Sequence, residues 1–152
     1  QVLIMIDIQV SGGTKRQREL CKSIAEFSIA KLMPRKKNLD IDIQLNKTDG
    51  ALGYCLWINR NEYSVEIDKR QGLRRFCETV AHEMVHVKQY SRGELFEIRP
   101  QRHRWKQTIV KGDVDYYDLP WEIEAHGREV GLFIRWCEAS GFAECDWAQD
   151  IM

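Results

Sequence analysis

Apolar and polar positions change period several times along this chain, and each change predicts an element. Ile4, Ile6, Ile8 and Val10 alternate with Met5, Asp7 and Gln9, which predicts a strand from Val2 to Val10. Ser11-Gly12-Gly13-Thr14 supplies a turn with capping residues. A helix is then expected to about Met33, with Leu20, Ile24, Phe27 and Lys31 on one line and Pro34 as its stop. Leu39, Ile41, Ile43 and Leu45 alternate with Asp40, Asp42 and Gln44, a strand with one wet face. After the turn Thr48-Asp49-Gly50, Tyr54 to Ile58 and the alternating Tyr63, Val65 and Ile67 predict a hairpin turning at Asn59-Arg60-Asn61. The period then becomes helical: Leu73, Phe76, Cys77, Val80, Met84 and Val87 form one stripe, and Gly93 lies at capping distance. From Glu94 to Leu119 periodicity is weak, and a long connection is expected. Pro120 suits a helix start, and Trp121 to about Ala139 reads as a second long helix closed by Gly141. Beyond it, Trp147 and Ile151 are expected to pack the tail back on the body.

Composition narrows the class. A chain of 152 residues is expected to form one domain with a real core. Lysine plus arginine (23) equals aspartate plus glutamate (23), so no basic balance points to nucleic acid as a partner. No apolar run is long enough to span a bilayer, and no membrane is expected. Gln1 to Val10 is apolar but has neither a basic leader nor a small-residue cleavage site, and is not read as a signal peptide. Five cysteines, an odd count with no Cys-x-x-Cys, argue against a disulfide framework and a zinc ribbon. A reducing, cytoplasmic compartment is the expectation.

The candidate chemistry lies in Thr79 to Lys88, which contains His82-Glu83-x-x-His86. Residues four apart on a helix share a face, so two imidazoles can aim at one metal ion. Both histidines project roughly opposite the apolar stripe. Two neutral imidazoles suit Zn2+, and Glu83 is placed to act as general base on a water at that metal. A third protein ligand is then needed. In the second helix Ile123, Ala125, Val130, Leu132, Phe133, Ile134, Trp136 and Cys137 define a broad apolar arc, and Glu122 falls near its middle. A carboxylate there needs a partner, so Glu122 is the expected third ligand. Glu124 falls outside the arc, where pairing with Arg128 at i+4 explains it. His126 and Glu129 lie along the Glu122 face as candidate supports for the ligands.

His82-Glu83-x-x-His86 followed by a glutamate on a second helix resembles the gluzincin metallopeptidases. Glu122-x-x-Ala125-His126 looks like their second motif, in which the glutamate ligand is followed four residues later by an acidic residue; here that position is His126. The chain is most similar to the minimal members, the minigluzincins, and to the related SprT-like proteins, from about Tyr54 to Trp136. The resemblance implies an α+β, zincin-like fold. A mixed, mostly antiparallel sheet would pack on the N-terminal helix and the His-Glu-x-x-His helix, with the Glu122 helix across the metal. It implies a zinc metalloendopeptidase acting on a peptide or protein substrate, with Gly53 to Trp57 as the sheet edge that holds it. One of His103, Tyr116 or Tyr117 would hydrogen-bond the tetrahedral intermediate. Two alternatives stand beside this: an SprT-like protease acting on DNA-bound proteins, and a latent or inactive zinc-binding domain with a binding role. In the latent form Cys145 or Asp146 would reach the open metal position.

Overall fold

The computed structural model describes residues 4–149; the expectations for Val2, Leu3 and Ile151 lie outside the described residues. Strands β1 (Met5–Gly12), β2 (Asn38–Asn46), β3 (Gly53–Asn59) and β4 (Glu62–Asp68) form one sheet in the order β1-β2-β4-β3. Alternation becomes rows across it: Ile8, Ile41 and Tyr63 stand in register, as do Val10, Ile43, Val65 and Cys55. That face carries the core, and helices α1 (Lys15–Leu32) and α2 (Leu73–Ser91) pack on it.

Pairing direction departs from expectation. β1–β2 and β2–β4 are parallel, and only β3–β4 is antiparallel, so this sheet is mixed but mostly parallel. The cause is the crossover through α1, together with insertion of β4 between β2 and its hairpin partner β3. An alternating strand with one wet face has the same residue pattern in either direction. The insertion leaves β3 on the edge, as expected.

The three long helices end where the residues direct, and α1 also begins there. Thr14 and Gln17 form a capping box at α1, each side chain accepting from the other's backbone N–H. In α1 the buried line is Cys21, Ile24, Ser28 and Leu32, while Lys31 lies outside over the Phe27 ring. Gly93 (φ 70°) and Gly141 (φ 80°) follow α2 and α3 (Pro120–Ser140) in the left-handed region. At Gly93, bonds from Gly93 N to Tyr90 O and from Glu94 N to Gln89 O satisfy the last carbonyls of α2.

The segment expected to lack regular structure is a three-stranded antiparallel ribbon, β5 (Leu95–Arg99), β6 (Arg102–Trp105) and β7 (Thr108–Lys111), followed by a 3-10 turn at Tyr116–Asp118. One face of it rests His103 and Trp105 on Trp121 of α3. The short α4 (Asp146–Gln149) returns to the body, with Trp147 among Phe133, Trp136 and Phe142. The apolar arc of α3 is narrower than its sequence suggests. Ala125, Phe133, Trp136 and Cys137 are buried, whereas Ile123, Val130 and Ile134 face outward.

Candidate metal centre

α2 lies between the sheet and α3, which buries nearly its whole circumference. Its apolar stripe of Phe76, Cys77, Val80, Met84 and Val87 is fully buried. A polar stripe of Arg75, Thr79, His82, His86 and Gln89 recurs every three or four residues on the side that meets α3 and the cleft. From α3, Glu122 and Glu129 face this stripe, seven residues apart and so on one side of their helix.

Glu122 Oε1 lies 3.0 Å from His82 Nε2 and 3.2 Å from His86 Nε2. The outer nitrogens are committed elsewhere. His82 Nδ1 is 3.0 Å from Glu129 Oε1, and His86 Nδ1 is 2.8 Å from Gln89 Oε1. The Gln89 amide is oriented by its own donor, which bonds the Trp121 carbonyl and Glu124 Oε1 at 2.9 Å each. Each Nδ1 therefore donates, and in a neutral imidazole that leaves Nε2 with a lone pair. Two such nitrogens and a carboxylate oxygen then converge with no hydrogen among them. A proton or a cation must sit between them.

In the metal-free chain the proton does so. Burial pulls His82 down, but Glu122 and Glu129 outweigh it and hold the imidazole up at about 9. Burial lowers His86 too, and Glu122 and Glu83 outweigh it. Burial alone would raise Glu122, yet the bonds from His82 and His86 hold it well below the carboxylate range. A metal ion would replace these protons: the three donor atoms lie within 4.8 Å of one another, and two imidazoles with one carboxylate are a donor set that suits zinc. The residues present fit the ion.

Glu83 is buried beside this group and is not among the converging donors. Burial raises its pKa more than His86 and His82 lower it. Its carboxylate lies against Gly53 of the edge strand, where a Cβ would come within 2.9 Å of Oε2. The cleft above is about 580 Å³, and its walls include Gly53, Cys55, Tyr90, Leu95, Tyr116 and Trp121.

Of the three candidates for the intermediate, the fold brings Tyr116 to the centre. Its hydroxyl donates to Glu122 Oε1 at 2.9 Å and lies 3.1 Å from His126 Nε2. Tyr117 lines the cleft with its ring exposed, and His103 is outside it, stacked on Trp121. Cys145 and Asp146 do not line the cleft; Cys145 packs against the core cluster near Cys137. His126 bonds Glu129 through Nδ1 at 2.9 Å, and the carboxylate that orients His82 comes from Glu129, about one turn beyond His126. His82, His126 and Glu129 also converge closely enough to hold a cation. The Arg75 guanidinium 2.9 Å from Glu129 already supplies positive charge there.

Glu124 corrects its surface assignment. It accepts from Arg128 at 3.2 Å, as expected, but its main partner is Lys88, whose Nζ lies 2.8 and 3.1 Å from the two oxygens. Lys88 is 4% exposed and lies 2.8 Å from Glu94 as well. Gln89 and Lys88 escape a sequence reading that stops at the two histidines, although Gln89 continues the polar stripe at i+3 from His86. All five cysteines are free thiols, and no helix among the described residues is long and apolar enough to cross a membrane. Comparison with family models, with curated proteins and with solved structures finds no match to this chain.

Proposed function

We propose that the chain is a zinc-dependent endopeptidase of zincin-like fold. One observation supports this reading above the others: two imidazole nitrogens and a glutamate oxygen converge within 3.2 Å contacts, with a further buried glutamate beside them, at the floor of a cleft along a free strand edge. His82, His86 and Glu122 are the residues that would hold zinc. When bound, such an ion supplies Lewis-acid polarisation of a carbonyl and of a water. Glu129 and Gln89 keep both Nδ1 atoms protonated and so aim both Nε2 atoms inward. Glu83 takes a proton from the attacking water and delivers it to the leaving amine; burial, which raises its pKa, makes it a stronger base than a solvated glutamate. The Tyr116 hydroxyl donates to the oxygen that gains negative charge. The open edge of β3 offers main-chain donors and acceptors to an extended substrate.

Zinc-loaded protein is expected to cleave an unfolded protein substrate, and Glu83→Gln is expected to retain one zinc per chain by elemental analysis while losing cleavage. Equal cleavage by the two proteins would remove Glu83 as the base. Absence of zinc after loading the wild type would remove the metal.

A further inference from the structure

The neutral net charge of the chain conceals a segregated surface on the ribbon. In the register of β5–β6–β7, Phe96 stands opposite Arg104, Ile109 opposite Arg104 and Lys111 opposite Arg102, while Arg99 pairs with Arg102 beyond a register shift that follows Glu97. Phe96, Arg102, Arg104, Ile109 and Lys111 share the face turned away from Trp121, and Arg99 lies at its end. The face and its end carry four cations, Arg99, Arg102, Arg104 and Lys111, beside the exposed Phe96 and Ile109, with Ile98 also exposed at the register shift, and Glu97 pairs with His103 on the other face. Among the described residues none of the four cations has an acidic partner within ion-pair distance.

This face continues the cleft. Gly53, Cys55 and Trp57 are alternate residues of β3 and point to the same side. Gly53 abuts Glu83, and Cys55 lines the cleft, as does Leu95 of β5. Trp57 meets Phe96 edge-on at 6.4 Å, and the Arg104 guanidinium lies 5.3 Å over that Phe96 ring. A strand added to β3 therefore leads from the metal centre past Trp57 onto the cationic face. Four residues at about 3.3 Å each bring it there, roughly 13 Å from the reacting bond.

Resting on the peptidase reading above, we infer that the substrate is an extended peptide bearing an acidic block about four to six residues to one side of the scissile bond, recognised by Arg99, Arg102, Arg104 and Lys111. The same cations would attract nucleic acid. A peptide is favoured because the route to them runs along a strand edge whose main-chain groups pair with another backbone, and because the two exposed rings on that route, Trp57 and Phe96, meet edge-on and offer no series of stacking faces.

The test uses metal-loaded Glu83→Gln protein and three labelled peptides with one apolar central sequence: an Asp/Glu block on the N-terminal side, the block on the C-terminal side, and no block. One placement is expected to bind at least about fivefold tighter than the neutral peptide at roughly 50 mM salt, with the gain shrinking toward roughly 300 mM. Arg99→Glu/Arg102→Glu/Arg104→Glu is expected to abolish the gain and to favour a lysine-flanked peptide. Arg104→Gln, a single exposed change, is expected to reduce it. Equal binding of all three peptides, or tighter binding of a single-stranded oligonucleotide of equal charge, overturns the inference. The parent reading is judged separately, by whether wild-type protein cleaves the neutral peptide at all.

Discussion

Among single residues, the two neighbouring glutamates of α3 do different work. Glu122 touches both Nε2 atoms, while Glu124 neutralises a buried ammonium and helps orient the amide behind His86. Burial would raise the Glu124 carboxyl, and the bonds from Lys88 and Gln89 lower it instead. Glu122→Ala is accordingly expected to weaken zinc binding at least about 10-fold in competition with a chelator, since even supporting residues cost about 10–100-fold. Glu124→Ala is expected to lower the metal-free unfolding free energy by about 1–3 kcal/mol, because Lys88 loses one of its two carboxylates in a buried setting. Urea denaturation of both variants checks this. A Glu124→Ala protein as stable as wild type would return Glu124 to the ordinary surface pair that its wheel angle suggests.

Between elements, the closest approach at the site is that of β3 to α2. Gly53 has Glu83 Oε2 and Thr79 Cγ2 at 2.9 and 3.0 Å from where a Cβ would be, so a methyl group must displace one or the other. Thr79 is tied to Gln71 at 2.8 Å and to the Arg75 carbonyl at 2.9 Å, and Glu83 is the freer of the two. Gly53→Ala is therefore expected to lower kcat/KM roughly 10-fold or more through misplacement of the carboxylate, with zinc affinity unchanged. Loss of zinc together with activity would mean that α2 itself had moved. The same edge strand exposes Tyr54, Leu56 and Ile58, which alternate with Gly53, Cys55 and Trp57 and stand on the opposite face from the cleft.

Across the whole molecule, charge is divided. The open face of the main sheet aligns Asp7, Asp40 and Glu62 in one row, with Asp42 and Glu66 beside them, while the ribbon carries a group of cations without acidic partners among the described residues. Protonation at the candidate metal centre also couples to the stability of the whole fold. His82 is raised from 6.5 to about 9, so its contribution to the metal-free fold is complete below pH 6.5 and is lost as pH rises through about 9. Zinc needs the same nitrogen deprotonated, so its affinity changes in the opposite sense. Over that window, melting temperature in the presence of chelator is expected to fall while the increment produced by buffered zinc grows. A zinc increment independent of pH would mean that no proton leaves the site on binding. Much of the architecture behind these expectations is legible in the residues alone. The periods of two and 3.6 mark the three long helices, the strands of the main sheet and their buried faces, and the spacing of His82, Glu83 and His86 with the inward angle of Glu122 marks the candidate centre. These features are local, because a repeat of a few residues states which side of an element is dry. Strand direction, the ribbon in the weakly periodic connection, the placing of Tyr116 rather than Tyr117 or His103 beside Glu122, and the link from Lys88 through Glu124 and Gln89 to His86 were decided only by tertiary structure. Each depends on which distant segment supplies the partner, and a residue pattern along one element records that a polar group needs a partner but not where the fold will provide it.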